Sequence, residues 1–510
     1  MVLSLASILA ESAARYPGNP ALAMGSATIS YAELWEQARR YGAALEALGV
    51  VPGDRVAIMI PNVPDFPRAY YGTLAAGAVV VPVHALLTAD EVAYVLRDSG
   101  AKLLLCAGPL LASGAPGAAA AGVACYSLLS DAGDLPRFED VAAKLEPLPT
   151  YRSREPLDDA VILYTSGTTG RPKGAILTQN NLTLNATICA FELCRSGPDD
   201  IYLAALPLFH AFGQTSVMNA GFRAGSTLQL LPRFDAKAAL DTMLSHGVTV
   251  FAGVPTMYIG LLEAGKSETR RPPLRHALSG GSALPLAVLE AFERDFGVAI
   301  YEGYGLSETS PVASFNQTYY GRKPGTVGRG IWGVDLAIAN ADVDDRIELL
   351  PDGELGEIVI RGHAVFKGYL NNPEATRAAI VDNWFRSGDL GTRDADGFIS
   401  IVDRKKDMIL RGGYNVYPRE VEEVLMRHPR VRQVAAIGVP DDVHGEEVVA
   451  VVVLDAPEMP FDANELIAWS QEYLAKYKYP RRIESIDAMP LGPSGKVLKR
   501  ELRDRFGAAR

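Results

Sequence analysis

The sequence predicts an α/β protein of more than one domain, and three observations carry this prediction. The chain has 510 residues, more than one hydrophobic core normally organises, which suggests about two to four structural units. Short apolar runs of strand length alternate with helical stretches, a pattern typical of parallel sheets covered by helices. From Gly356 onward, short strands joined by Gly/Asp turns indicate a small β-rich element, followed by a compact α+β unit.

The composition is that of a globular protein that favours small substrates. Hydrophobic residues make up 48% and charged residues 21% of the chain, and the formal net charge is −11. Because nucleic acids and anionic lipid head groups are bound by clustered Lys and Arg, an acidic chain without a basic block predicts no nucleic-acid partner. The four cysteines have neither zinc-ligand nor disulfide spacing, which predicts reduced thiols in a cytoplasmic enzyme.

The elements of the first half follow from local patterns. Leu5, Ile8 and Leu9 recur at helical spacing and predict a short amphipathic helix instead of a secretory signal. The apolar stretch 70–87 is interrupted by Gly and Pro, so it predicts a buried helix and a core strand and no integral membrane segment. The Ala/Gly-rich segment 107–125 predicts a loop with little function. Core strands are predicted at 56–60, 160–165 and 248–254.

The last hundred residues read as a separate unit. The pattern predicts a helix at 418–428, strands at 431–440 and 446–454, a helix at 464–473 and a basic tail. The charged stretch Asp403–Lys406 is expected to lie outside strands and to carry few contacts. We therefore predict an N-terminal domain over 1–402, a hinge over 403–406 and a C-terminal domain over 407–510.

The stretch YTSGTTGRPKGA, at 164–175, predicts a phosphate-binding loop. Apolar strand residues lead into glycines and hydroxyls, where successive N–H groups can converge on an anion. The pattern differs from G-x-x-x-x-G-K-[ST], because no Gly-Lys pair is followed here by Ser or Thr.

This loop and a series of further motifs resemble those of the adenylate-forming superfamily and occur in the family's order. The sequence is most similar to bacterial medium- and long-chain fatty-acid–CoA ligases. The further motifs are PLFHAFG, VPTMY, SGGSALP, EGYGLSETSP, GEIVIRG, WFRSGDLG, DRKKDMILRGGYNVYPREVE and PLGPSGKVLKREL. The resemblance implies a large N-terminal domain of two mixed or parallel sheets with flanking helices and a small β-barrel-like element, and a small mobile α+β C-terminal domain.

The resemblance also implies a reaction in two steps. A carboxylate attacks ATP with release of pyrophosphate, and the thiol of coenzyme A then displaces AMP from the acyl-adenylate. Because an anion must approach a tetra-anion, cationic groups and Mg²⁺ are needed to neutralise charge as it moves onto the pyrophosphate. ATP, Mg²⁺ and coenzyme A are the implied cofactors, a fatty acid is the implied substrate, and a homodimer is compatible with the resemblance.

The motifs assign residues to the nucleotide site. Glu308 and Thr165 match the Mg²⁺ ligands, and Lys496 matches the lysine that bridges the substrate carboxylate and the α-phosphate. Tyr304 would offer its ring to adenine, while Asp389, reinforced by Arg404, would accept the ribose hydroxyls. The full ATP/AMP set is Thr165, Ser166, Gly167, Thr168, Thr169, Lys173, Gly281, Ser282, Ala283, Glu302, Gly303, Tyr304, Ser307, Glu308, Asp389, Arg404 and Lys496.

The resemblance assigns the other subsites too. His210 joins Lys496, Glu308 and Thr165 as a catalytic candidate, with a satisfied core histidine as the alternative. Gly305, where acetyl-activating relatives carry a tryptophan, is expected to leave an acyl channel open. The acyl set is Phe209, His210, Phe212, Gly213, Gly280, Gly305 and Val312, the coenzyme A set is Arg411, Gly412, Gly413 and Tyr414, and the hinge residue is Lys406.

Three functions stay open at this point. The first is a medium- to long-chain fatty acid–CoA ligase. The second is an aryl-CoA ligase, or an acyl-AMP ligase that delivers its adenylate to a carrier protein. The third is a non-catalytic nucleotide- or acyl-binding protein, which the intact Lys496, Glu308 and Asp389 disfavour.

Overall fold

A computed structural model describes residues 3–130, 133–165, 171–455, 461–492 and 495–507 of the chain. The elements of its first part, in chain order, are α1 (Ser7–Arg15), β1 (Pro20–Met24), β2 (Ala27–Ser30), α2 (Tyr31–Ala47), β3 (Arg55–Met59), α3 (Asp65–Ala75), β4 (Val79–Pro82), α4 (Ala89–Ser99), β5 (Ala101–Ala107), α5 (Leu111–Ala121), β6 (Ala124–Leu128), α6 (Phe138–Ala142), β7 (Asp159–Thr165), β8 (Lys173–Thr178) and α7 (Gln179–Ile188).

The middle of the chain continues this alternation and then becomes β-rich. The elements up to residue 330 are β9 (Ile201–Ala204), α8 (Ala220–Ala224), β10 (Thr227–Leu230), α9 (Ala236–His246), β11 (Val250–Gly253), α10 (Pro255–Gly265), β12 (His276–Ser279), α11 (Leu286–Phe296), β13 (Ile300–Gly305), β14 (Val312–Phe315) and β15 (Arg329–Gly330). The β-rich part contains β16 (Val334–Ala339), β17 (Gly356–Gly362), β18 (Gly368–Tyr369), α12 (Pro373–Ala379), β19 (Ile380–Val381), β20 (Trp384–Arg393) and β21 (Ile399–Arg404).

The C-terminal part has its own sheet and helices. Its elements are β22 (Ile409–Arg411), β23 (Tyr414–Val416), α13 (Pro418–Leu425), β24 (Val431–Asp441), β25 (Gly445–Leu454), α14 (Ala463–Tyr473), β26 (Arg482–Ser485) and α15 (Lys499–Phe506). This sheet has the order β23-β22-β25-β24, with β26 pairing with β25, and among the described residues all its strands come from the C-terminal part. Its apolar residues form cores separate from the main core.

Two large mixed sheets and a smaller one make up the rest. One runs β15-β14-β13-β12-β11-β9-β10-β1-β2, and the other runs β18-β8-β7-β4-β3-β5-β6. A continuous apolar core joins the two, with helices α2, α3 and α8 contributing to it. The smaller sheet is antiparallel, with the order β16-β17-β20-β19 and β21 beside β20. The predicted α/β class is thus confirmed.

Local sequence signals explain where several helices begin. Helix α2 starts after Ser30, whose hydroxyl accepts from the Glu33 amide while the Glu33 carboxylate accepts from the Ser30 amide. Thr88 and Glu91 form the same reciprocal pair before α4. Each pair satisfies donors that a helix start would otherwise leave unpaired. The predicted N-terminal helix is present as α1, with Leu5, Ile8 and Leu9 buried.

Two expectations from the sequence are wrong. Segment 107–125 is not a loop, because it forms α5 and the start of β6. Its glycines serve close packing: a Cβ on Gly114 would lie 2.4 Å from Cys106 Sγ, and one on Gly117 would lie 2.7 Å from Val92 Cβ. The stretch 403–406 is not free of strand, since Asp403 and Arg404 end β21 and pair with β20. Only Lys405–Asp407 form a turn there.

Candidate active site

Glu308 lies buried at the centre of the candidate site. It belongs to a short helical turn that follows β13, and Thr165 ends β7 on the other large sheet. The Thr165 hydroxyl donates to Glu308 Oε1 over 3.2 Å, and the Tyr369 hydroxyl donates to the same oxygen over 2.9 Å. A carboxylate and a hydroxyl are hard oxygen donors of the kind that Mg²⁺ prefers, so these two residues fit the implied metal.

Asp389 and Arg404 meet because their strands pair. They are direct partners in the register of β20 and β21, and Arg404 Nε lies 3.3 Å from Asp389 Oδ1. The Tyr304 hydroxyl, from β13, donates to Asp389 Oδ2 over 2.7 Å. Burial raises the pKa of the Asp389 carboxyl, and the Arg404 guanidinium opposes that shift. The sequence had grouped these three residues by resemblance, and the geometry brings them together.

Lys496 reaches the same place from the C-terminal part. It lies in a hairpin in which Leu491 pairs with Val497 and the Gly492 amide donates to the Lys496 carbonyl over 2.7 Å. Gly495, at φ +77°, packs against Val254, and its carbonyl accepts from the Thr256 hydroxyl over 3.0 Å. The motif VPTMY therefore forms the dock for this hairpin.

The surroundings of Lys496 lower its proton affinity. A Cβ on Gly281, whose φ is +82°, would lie 3.3 Å from Lys496 Cε, so the lysine stem runs along the backbone there. Burial, and next the Arg404 guanidinium, lower the pKa of Lys496 to about 8, while Asp389 and Glu308 oppose this shift. Two cations close enough to two carboxylates to shift the pKa of Lys496 suit a polyanionic ligand.

His210 is neutral at physiological pH. Burial, followed by Lys496 and His84, lowers the pKa of His210 to about 3. Its Nδ1 accepts from the Phe212 amide over 3.3 Å, which leaves Nε2 to carry the proton. The Lys496 ammonium is one cause of this low pKa, which favours a place beside the site over a remote core position.

The acyl candidates pack tightly, and this packing changes the interpretation of Gly305. A Cβ on Gly280 would contact the Phe212 ring at 3.3 Å, and one on Gly213 would lie 2.4 Å from the Pro207 carbonyl oxygen. A Cβ on Gly305 would lie 1.7 Å from the Pro311 carbonyl oxygen. The space beside Gly305 is therefore filled by main chain, so its missing side chain does not open a channel. Phe209 contacts the His84 ring, and Val312 is buried.

For the other predicted nucleotide residues the structure gives the burial and, for Glu302, a partner within the protein. The buried Glu302 carboxylate accepts from the Gly325 amide over 3.0 Å, and burial raises its pKa to about 7. Ser307 and Gly303 are half-buried, while Ser282 and Ala283 are exposed. Ser166, Gly167, Thr168 and Thr169 lie outside the described residues.

The coenzyme A candidates lie on the hairpin of β22 and β23. Arg411 donates to both carboxylate oxygens of Glu447, over 2.5 and 2.8 Å, so its guanidinium is engaged within its own domain. Tyr414 is 60% exposed and stacks on Tyr477 at 4.8 Å between ring centroids. Gly412 and Gly413 are exposed, and Lys406 is exposed in the turn after β21. Within the ranges described, none of these bonds or pairs with Glu308, Asp389 or Lys496.

Sequence reasoning missed two residues of the site. Thr256 stood in a quoted motif but had no role, and Tyr369 was not singled out. Tyr369 donates to Glu308, and its ring lies 5.2 Å from Lys173 Nζ. Its place in β18, which pairs with β8, decides this contact, and a single sequence carries no signal for such a pairing.

Comparison with known proteins agrees with this geometry. A family model described as AMP-binding enzyme matches residues 9–370, and one described as AMP-binding enzyme C-terminal domain matches 420–496. The chain is 36% identical to a long-chain-fatty-acid–CoA ligase of Bacillus subtilis, over 98% of this chain and 94% of that protein. It is 40% identical to a feruloyl-CoA synthase of an Amycolatopsis species, over 96% of each.

Solved structures match along the whole length. A benzoate CoA ligase from Burkholderia xenovorans superposes with a TM-score of 0.90 at 30% identity, covering 98% of this chain and 99% of that one. ATP-bound MatB from Rhodopseudomonas palustris gives 0.89 at 32% identity, with coverage of 98% and 99%.

No helix among the described residues combines the length and the apolar character that a membrane crossing requires. ATP, Mg²⁺ and coenzyme A are the usual partners of the matched family. The cluster of Glu308, Asp389 and Lys496 and the two family matches lead to one conclusion: the chain belongs to the AMP-binding, adenylate-forming enzymes and is an AMP-forming acid–CoA ligase.

Proposed function

We propose that the enzyme activates a medium- to long-chain fatty acid in two half-reactions at this site. In the first, a carboxylate oxygen attacks the α-phosphorus of ATP, and pyrophosphate leaves. In the second, the sulfur of coenzyme A attacks the acyl carbonyl, and AMP leaves. The observation that carries the proposal is the half-buried Lys496, whose stem lies along Gly281 and whose ammonium interacts with Asp389 and Glu308 although it comes from the other end of the chain.

Charge is the main requirement of the first half-reaction. Lys496 would lie between the incoming carboxylate and the α-phosphate, where its ammonium offsets the repulsion of two anions. Arg404 adds a second cation beside the ribose, held by Asp389. Glu308 and Thr165 would hold Mg²⁺, which supplies positive charge beside the departing pyrophosphate.

The phosphate-binding loop would hold the β- and γ-phosphates. Thr165 and Lys173 are direct partners across β7 and β8, so the strand pair fixes both ends of the loop. The proposal assigns the hydroxyls and amides of 166–169 to the phosphates. Lys173 lies over the Tyr369 ring at 5.2 Å, which supports a secondary role for this lysine.

The second half-reaction would need Lys496 to leave. We assign the domain boundary to the turn after β21, with Lys406 as the hinge residue, and the coenzyme A path to Gly412 and Gly413. Both positions have positive φ, at +57° and +83°, which favours glycine. Because glycine has no side chain, the hairpin backbone there would not obstruct a thin thiol arm. His210, neutral and near Lys496, would stand at the mouth of the acyl site.

The acid is assigned from the apolar residues of the acyl set. Phe209, Phe212 and Val312 present carbon surface, and each methylene buried against such surface contributes about 0.8 kcal/mol. The Bacillus subtilis relative, matched over nearly the whole chain, is named for long-chain fatty acids and supports this assignment.

An aromatic acid is the second candidate, and one observation favours it. Gly305 adds no depth to the site, and the Phe212 ring faces the Gly280 backbone, which suits a flat group better than a long flexible one. The feruloyl-CoA synthase relative, at 40% identity, is consistent with that shape.

The test is pyrophosphate release across acids from acetate to palmitate, with benzoates and ferulate, each with and without coenzyme A. The proposal expects the highest kcat/KM for acids of medium or long chain and thioester only with coenzyme A. If kcat/KM is highest for ferulate or benzoate, the substrate is an aryl acid and not a fatty acid. No thioester with any of these acids would show that the substrate belongs to neither class.

We also propose a cytoplasmic location. All four cysteines, Cys106, Cys125, Cys189 and Cys194, are buried and free, as expected in a reducing compartment. A homodimer stays a prediction.

A further inference from the structure

Tyr369 joins three parts of the site that the sequence left separate. It ends β18, a two-residue strand whose residues pair with Ile176 and Ala175 of β8. That pairing brings the phenol ring over Lys173 at the base of the phosphate-binding loop. The hydroxyl at the far end of the ring donates to Glu308 Oε1 over 2.9 Å.

The hydrogen bonds divide the two oxygens of Glu308 into different roles. Oε1 accepts from the Thr165 and Tyr369 hydroxyls, so both of its lone-pair directions have donors. In the part of the chain that the structure describes, no donor lies within hydrogen-bonding distance of Oε2. The carboxylate is therefore held by one oxygen, while the other is left to face a cation.

The main chain around Tyr369 is fixed independently of its hydroxyl. The Phe366 amide donates to the Glu308 carbonyl over 2.8 Å, and the Ser310 hydroxyl donates to the Ala364 carbonyl over 2.7 Å. The Leu370 amide donates to the Gly174 carbonyl over 2.8 Å. Removing the hydroxyl alone should leave this backbone in place and free only the rotation of the Glu308 side chain.

We propose that Tyr369 is a positioning residue that turns Glu308 Oε2 towards the Mg²⁺ of the bound nucleotide. Its ring also contacts Lys173 on β8, so one side chain links the metal ligand to that lysine. This inference rests on the proposed function of Glu308 as a metal ligand. Residues that orient a ligand in this way typically change metal affinity or activity by about 10- to 100-fold when removed.

The test compares Tyr369→Phe with the wild type by calorimetry of ATP binding, with and without Mg²⁺ and in the absence of any acid. We expect the gain in ATP affinity that Mg²⁺ gives to fall about tenfold in the variant. ATP affinity without Mg²⁺ should stay unchanged, because the ring still contacts Lys173. Tyr369→Leu removes the ring as well, so it should also weaken metal-free ATP binding.

Tyr41→Phe is the matched control. The Tyr41 hydroxyl also donates to a carboxylate, Asp65 Oδ1, over 2.9 Å, but on helices α2 and α3. This variant should lower the melting temperature and leave the Mg²⁺-dependent gain unchanged.

The outcomes separate this inference from the function on which it rests. If the ATP affinity of the wild-type enzyme does not depend on Mg²⁺, the proposed role of Glu308 as a metal ligand is wrong. If Mg²⁺ strengthens wild-type binding and Tyr369→Phe keeps the full gain, Tyr369 has only a structural role and the inference is wrong. An equal loss in Tyr369→Phe and Tyr41→Phe would also overturn it.

Discussion

The two halves of the active site are held in different ways. Asp389 and Glu308 lie on or beside paired strands, and a tyrosine hydroxyl donates to each carboxylate. Arg404 is half-exposed and pairs with Asp389. Lys496 is carried by a short hairpin that docks on the large domain through the Thr256 hydroxyl and the packing of Gly495 on Val254. The nucleotide half is thus held by paired strands, and we propose that the lysine half can be withdrawn with its hairpin.

The difference matches what two successive reactions would require. Electrostatic stabilisation works best when the groups are fixed before the reaction. In the proposed second half-reaction, a thiol would approach the acyl carbonyl after the hairpin has withdrawn the lysine.

The variant Lys496→Ala should distinguish the lysine half of the site from the nucleotide half with the largest effect. We expect acyl-adenylate formation to fall about a thousandfold, because an ammonium at the reacting phosphate is lost. Thioester formation from supplied acyl-adenylate should stay within about threefold, since the lysine is absent from that step. Rapid-quench assays of each half-reaction measure both, with the exposed Lys237→Ala as control. Equal loss in both steps would contradict the assignment.

Asp389→Asn tests the nucleotide half. The carboxylate is expected to accept both ribose hydroxyls, so the change should weaken ATP binding by about 3 kcal/mol, or about a hundredfold. Titration calorimetry with ATP measures this. Asp200→Asn is the matched control, because Asp200 also pairs with an arginine, Arg275 Nε at 2.9 Å, away from the site. An unchanged ATP affinity in Asp389→Asn would remove the ribose role.

The pH dependence should differ between the two half-reactions. The pKa of Lys496 is lowered to about 8, so the lysine loses its positive charge as the pH rises through that value. The kcat/KM of adenylation for ATP should therefore fall about tenfold per pH unit above pH 8. Thioester formation should rise over the same range, because the thiolate is the nucleophile. Parallel profiles would contradict the role of Lys496. Because the pKa of His210 is lowered to about 3, its titration should not change either rate near neutral pH.

Thr256→Val tests the docking contact itself and should have the smallest effect. Losing one hydrogen bond to the Gly495 carbonyl, of about 1 kcal/mol, should slow adenylation about fivefold and spare thioester formation. Thr187→Val removes a comparable hydroxyl-to-carbonyl bond, 2.7 Å to Thr183, inside α7. If the two variants slow adenylation equally, the hydrogen bond between Thr256 and Gly495 does not contribute to this step.

Much of the fold and the site could be predicted from sequence, because patterns of apolar residues and motif spacing act locally. The strands at 160–165 and 248–254 belong to this part, whereas the grouping of Glu308, Asp389 and Lys496 came from the resemblance to a known family. Long-range packing was not predictable. The Cβ of Gly305 would meet Pro311, and Gly114 and Gly117 fit helix α5 against Cys106 and Val92, contacts that only the folded chain creates. Tyr369 was missed for the same reason.

Cross-linking of the two domains tests the central claim most directly. Lys266 and Asp455 lie on different domains, are both exposed, and approach within 4.0 Å when Lys496 is docked. With Cys at both positions, a short thiol-specific cross-linker should join them, because the four natural cysteines are buried. We predict that the cross-linked enzyme still releases pyrophosphate with acid and ATP but makes almost no acyl-CoA. Acyl-CoA formation at the rate of the uncross-linked variant would contradict the withdrawal of Lys496.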